Sequence, residues 1–136
     1  MGAWGMGTFE NDDAMDWIAD FCASPADEEL RATLRSAADA EGYLEAPDCS
    51  NALAAAEVVA ALKGAPTLNA IVVEDYLPVI ARSGIPVTSE LTTLALRAID
   101  RVASDSELKE LWDEVEDAPA WRAEVAALRE RVAGPS

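Results

Sequence analysis

The sequence predicts an all-α fold, a single compact bundle of about seven mostly antiparallel helices. Three observations carry this. Apolar residues recur at i, i+3, i+4 and i+7 in one segment after another, and almost no stretch shows the strict alternation of a half-buried strand. The links between those segments are short and marked by Pro or Gly, which favours antiparallel neighbours. The chain has 136 residues, 51% hydrophobic and 26% charged, the size of one domain spanning residues 1–136. A chain of that length can bury roughly 68–70% of its unfolded surface, so its core needs neither disulfide nor metal.

Taken in order, a glycine-rich loop at 2–9 leads to Asn11 or Asp12 as the cap of a first helix with Ala14, Trp17, Ile18, Phe21 and Cys22 inward. Ser24-Pro25-Ala26-Asp27 reads as a cap, a proline at N1 and an acid at N3, opening a second helix through Leu30, Leu34 and Ala37 that ends near Gly42. Pro47-Asp48 opens a third, and its Asn51–Leu62 part is so alanine-rich and charge-poor that burial on more than one face is expected. This is the predicted central helix, stopped at Gly64. From Leu68 to Arg82, Ile71-Val72-Val73 favours strand locally, while Leu68, Ile71, Val72, Tyr76 and Val79 fit a helical face, with Pro78 as a kink or restart. Helix is the predicted state.

After the Gly84-Ile85-Pro86 turn, Thr88 or Ser89 caps an amphipathic helix carrying Leu91, Leu94, Ala95, Ala98, Ile99 and Val102. Ser104 and Glu107 form a capping-box pattern for a short helix presenting Leu108, Leu111, Trp112 and Val115. Pro119 starts the last helix, with Trp121, Val125, Leu128 and Val132 inward and Gly134-Pro135 as its stop.

Composition narrows the chemistry. There is no histidine, which removes Ser-His-Asp and Cys-His catalysis, HExxH zinc sites and imidazole switches. Twenty-six acidic against ten basic residues give a net charge of −16, and no base occurs before Arg31. Residues 1–50 hold 12 acids and 2 bases, net −10; residues 51–136 hold 14 and 8, net −6. A field of this sign repels phosphate backbones and anionic lipid, so nucleic acid and membrane are not the expected partners, whereas a basic protein or a cation is. The opening carries no basic region followed by an apolar core, and no apolar run approaches a membrane span, so a cytoplasmic protein is expected. Met1-Gly2 resembles a myristoylation start, but Met6 stands where Ser or Thr is required. Cys22 and Cys49 are too few and too far apart for a four-cysteine zinc site and are expected to be buried reduced thiols. No cofactor is expected.

The opening Gly2–Trp17 stretch holds the candidate site: Trp4, Gly5, Gly7, Phe9, Glu10, Asn11, Asp12, Asp16 and Trp17. A glycine-rich loop entering a helix can cradle phosphate, but the Walker Lys-Ser/Thr is missing and Glu10, Asp12 and Asp13 would repel the anion. The structural reading is a tight turn that packs Trp4 and Phe9 against Trp17 and Phe21. A cation reading uses Glu10, Asp12, Asp13 and Asp16 as hard oxygen ligands, although an EF-hand loop from Glu10 would place Met15 where glycine is required. A second acidic run, Asp105, Glu107, Glu110, Asp113, Glu114, Glu116 and Asp117, is either a solvated face or a contact strip for a basic partner.

Gly-Ala-Trp-Gly-x-Gly-x-Phe-Glu-Asn-Asp at 2–12 followed by Asp16-Trp17 resembles the start of the bacterial domain-of-unknown-function family numbered 4259. Tyr43-Leu44-Glu45-Ala46-Pro47, Cys49 and the Ala54–Ala61 segment resemble its second signature; Leu94 to Val102, Leu111-Trp112 and Trp121-Arg122 fit its tail. The resemblance implies a small cytosolic bacterial helical protein and brings no activity, substrate or cofactor with it. The expected function is therefore a non-enzymatic acidic protein-binding module, neutralising a basic partner in the manner of immunity proteins or antitoxins. The rival is a metal-assisted enzyme using Glu10, Asn11, Asp12 and Asp16.

Overall fold

The alanine-rich segment becomes the axis of the molecule. In the computed structural model, which describes residues 7–67 and 69–134, eight helical segments occur: α1 Asp12–Ala23, α2 Asp27–Ala38, α3 Ala46–Leu62, α4 Ala70–Asp75, α5 Leu77–Arg82, α6 Ser89–Ser104, α7 Glu107–Asp113 and α8 Ala118–Ala133. No strand occurs among the described residues, and the fold is an all-α bundle. Helix α3 touches α1, α2, α5, α6, α7 and α8. Its residues Ala52 to Ala60 are all buried, since small side chains let neighbours approach it from every direction. It ends in a Schellman motif: Ala65 N–H donates to Ala60 O (2.9 Å) and Gly64 N–H to Ala61 O (3.0 Å), with Gly64 at φ +86°.

The other helices lean on this axis as their apolar faces dictate. Ala14, Trp17, Ile18 and Phe21 of α1 are buried, as are Leu30, Leu34 and Ala37 of α2. Helix α6 buries all six residues of its predicted stripe, and the Thr88 side chain accepts from Leu91 N–H as its cap (3.1 Å). The 68–82 stretch divides at Tyr76: Asn69 caps α4 by accepting from Val72 N–H (3.2 Å), and Pro78 sits in the first turn of α5, where a missing N–H costs nothing. Helical packing thus overrides the local strand preference, and the proline turns one expected helix into two. No helix among the described residues is long and apolar enough to cross a membrane.

Four local expectations are corrected. Ser24 does not cap α2; its N–H closes the last turn of α1 on Phe21 O (3.2 Å), Ala26 is extended, and α2 begins at Asp27. Helix α2 stops at Ala38 rather than near Gly42, which instead turns the connection at φ +90°. Ser104 belongs to α6 and bonds Asp100 O (2.7 Å), leaving Ser106 to cap α7 by accepting from Lys109 N–H (3.1 Å). Glu107 turns away from a capping box to accept from Ala46 N–H at the start of α3 (2.7 Å), where a carboxylate meets the positive end of the helix dipole. Finally, Cys22 is only partly buried, while Cys49 is fully so. Burial pushes the Cys22 thiol up to about 11 and raises that of Cys49, so both resist ionisation.

Candidate functional site

The described part of the opening stretch is a turn fastened onto α1. Glu10 N–H donates to Gly7 O (3.0 Å). Asn11 is the cap: its Oδ1 accepts from Ala14 N–H (2.8 Å) and its Nδ2 donates to Thr8 O (3.0 Å). A Cβ on Gly7 would stand 2.8 Å from Glu10 Oε1, so glycine leaves room for the Glu10 carboxylate to fold back over the turn. A methyl there would displace that flexible side chain rather than strain the backbone.

Phe9, Trp17 and Phe21 all belong to the one buried core. Phe9 is buried beside Ile18, Val58, Val72 and Ile80 around a void of about 10 Å³. Trp17 stacks on Phe21, its helical neighbour at i+4, with centroids 5.1 Å apart, and donates from Nε1 to Thr33 Oγ1 of α2 (3.0 Å). Trp4 and Gly5 lie outside the described residues. Asp12, Asp13 and Asp16 are all exposed, whereas Glu10 is directed back over Gly7. Among the described residues no three carboxylates or thiols stand together as a metal site.

Residues of four segments separated in sequence meet at a cleft of about 460 Å³. Its sides are the Gly7–Glu10 turn, the Pro66, Thr67 and Asn69 connection, and Glu124, Ala127 and Arg131 of α8; Glu57 of α3 also lines it. Glu57 is 4% exposed and its two oxygens accept from Arg131 Nη1 (2.7 Å) and Nη2 (3.1 Å), while Nη1 also reaches Ala65 O (3.2 Å). Gly7, Thr8 and Glu124 border a neighbouring hollow of about 40 Å³ as well, walled by Leu53, Leu108, Trp112 and Trp121. Sequence reasoning passed over Glu57 and Arg131. The available signal was one carboxylate inside a helix expected to be buried all round, a position that demands a cationic partner.

The second feature is α7. Trp112 stacks on Trp121 of α8, with centroids 6.3 Å apart, and Arg122 reaches Asp113 (2.7 Å), which also pairs with Lys109. These two cations hold the Asp113 carboxyl below its ordinary range. The helix is thereby fixed with Leu108 and Trp112 packed against the core. Leu111 and Val115, expected to pack inward, are 42% and 49% exposed: a two-turn helix lying on the surface offers the core only one narrow side, and Val115 falls in the bend after the helix has ended. Tyr43, 58% exposed, reaches the same helix, its hydroxyl donating to Glu110 Oε1 (2.9 Å). That bond to a carboxylate, with smaller contributions from desolvation and nearby acids, pushes the Tyr43 phenol up to about 12. The loop carrying Tyr43 is pinned by Arg101, which donates to Ala40 O (2.8 Å) and Gly42 O, and by Glu107 N–H on Leu44 O (2.9 Å). Glu110, Glu114, Glu116 and Asp117 are exposed around this patch.

The family model described as Domain of unknown function (DUF4259) matches residues 2–124. No curated protein and no solved structure matches the chain.

Proposed function

From the premise that the chain belongs to the family Domain of unknown function (DUF4259), we propose that it is an acidic protein-binding module of a bacterial cytosol whose contact surface is α7 with Tyr43. One observation carries the reading: the exposed large hydrophobics of the described residues are Leu111 on α7, Val115 just beyond its end, and Tyr43, whose hydroxyl bonds Glu110 of α7. Carboxylates surround them, and Lys109 and Arg122 are engaged with Asp113. An apolar centre with a charged rim is how protein interfaces are built, and the rim's sign sets the partner's. The fitting partner is a basic protein with an apolar projection, held and neutralised in the manner of an immunity protein or antitoxin. The −16 net charge supports protein over nucleic acid or anionic membrane.

A photo-crosslinking residue at position 111 or 115, compared with one at the exposed Thr93 of α6, tests this in living cells. Positions 111 and 115 are expected to give the same adduct with one basic protein, and Thr93 none. Equal adducts from all three positions, or none from 111 and 115, would contradict the proposal.

A further inference from the structure

We infer that α7 is a strap, clasped onto the bundle by the Tyr43–Ala46 segment, that opens as a unit while the other helices stay folded. On the reading that α7 and Tyr43 form a contact surface, that surface is whole only while the clasp is closed; the opening itself does not depend on that reading. Three features single α7 out. Its seven residues are too few to hold helical form alone, since a helix shorter than roughly 12–15 residues is marginal in water. None of them is fully buried, and Leu108 and Trp112 are half-buried, whereas α1, α2, α3, α6 and α8 each bury three residues or more. The hollow of about 40 Å³ bordered by Leu108 and Trp112 of α7, Leu53 of α3 and Trp121 of α8 leaves its apolar side incompletely packed.

Polar bonds supply much of the fastening. Glu107 acts twice in the first turn: its N–H donates to Leu44 O (2.9 Å), and its carboxylate accepts from Ala46 N–H (2.7 Å). Glu110 accepts from the Tyr43 hydroxyl (2.9 Å). At the other end the Trp112–Trp121 stack and the Arg122–Asp113 pair complete the attachment, and an exposed pair of that kind holds weakly. Ser106 behaves differently. It is 1% exposed and donates to Val102 O (2.7 Å), so it stays with α6 and marks one pivot; the exposed Glu114–Asp117 turn before α8 is the other. Opening between these pivots breaks the three clasp bonds, unstacks Trp112 and parts α7 from Tyr43. A partner that touches both sides of the clasp therefore binds the closed form and holds it shut. Glu107 is assigned as the positioning residue of the strap.

Amide hydrogen exchange of the full chain, followed by NMR in the absence of any partner and at low urea concentrations, tests the assignment. Once lifted, so short a helix unwinds, and the amides of Glu110 to Asp113 report the opening. These amides are expected to share one protection factor, about a hundredfold or more below that of Ala52–Ala60 in α3, and to respond little to urea, as a local opening does. Glu107→Ala is expected to lower the shared protection about tenfold or more, the loss of a charge-assisted bond. Glu107→Gln, whose side-chain carbonyl still accepts from Ala46 N–H, is expected to lower it less. Protection and urea dependence equal to those of α3 would overturn the inference, because α7 then opens only with the whole molecule. A spread of unrelated protection factors along α7 would also overturn it, as fraying rather than opening of a unit, and so would no change in Glu107→Ala. Since no partner is present, each of these results stands whatever the crosslinks at 111 and 115 show.

Discussion

Replacing Arg131 with Met is expected to destabilise the protein by about 3–5 kcal/mol, the usual cost of removing one partner from a buried ion pair. Glu57 is 4% exposed in the middle of α3, so its carboxylate would keep its burial and lose its neutralising cation. Ala65 O, which accepts from the same guanidinium, loses a donor as well. Because Arg131 retains 28% side-chain exposure, water can partly replace it, and the lower end of the range is expected. Urea denaturation measures the effect. Adding Glu57→Gln to Arg131→Met should recover most of the loss, since the charge is then gone. A single-variant cost below about 0.5 kcal/mol would show that the pair does not hold α8 to α3.

Trp17→Ala is expected to cost about 3–5 kcal/mol, the range for deleting a large buried aromatic. The indole supplies the stack on Phe21, apolar filling between α1 and α2, and a hydrogen bond to Thr33 Oγ1. Trp17→Phe keeps the first two in part and loses the third, so about 1 kcal/mol of its cost belongs to the bond. An alanine variant within about 0.5 kcal/mol of the parent would make Trp17 a surface recognition residue rather than a core one.

The parts of this fold that were legible in the sequence are those governed by periodicity. The stripes of α1, α2, α6 and α8 and the all-round burial of α3 follow from the positions of Ile, Leu, Val and Ala. Helix ends were less legible, because Ser24, Ser104 and Ser106 are chemically interchangeable as caps and tertiary contacts decide which one is used. Glu107 illustrates this: its carboxylate serves Ala46, 61 residues away, which no local pattern encodes. The candidate site divides in the same way. Gly7, Phe9, Glu10 and Asn11 were singled out and do form one structured turn, with Asn11 as the cap. Their neighbours Glu57, Glu124 and Arg131 come from α3 and α8, and only folding brings them to the cleft. Leu111 and Val115 were assigned inward because helical spacing cannot tell a short surface helix from a buried one.

The claim at the centre of this account is that α7 and Tyr43 form the contact surface, and affinity for the crosslinked partner tests it most directly. With that protein purified, Kd is to be measured for the parent, Leu111→Asp, Val115→Asp and Glu110→Gln with Glu114→Gln, each at low and at physiological salt. The account predicts that either aspartate weakens binding by about tenfold or more, as loss of a buried interface anchor does. It also predicts that removing the two rim carboxylates weakens binding mainly at low salt, as expected of charges that steer association. A Kd unchanged by Leu111→Asp and Val115→Asp would contradict the account.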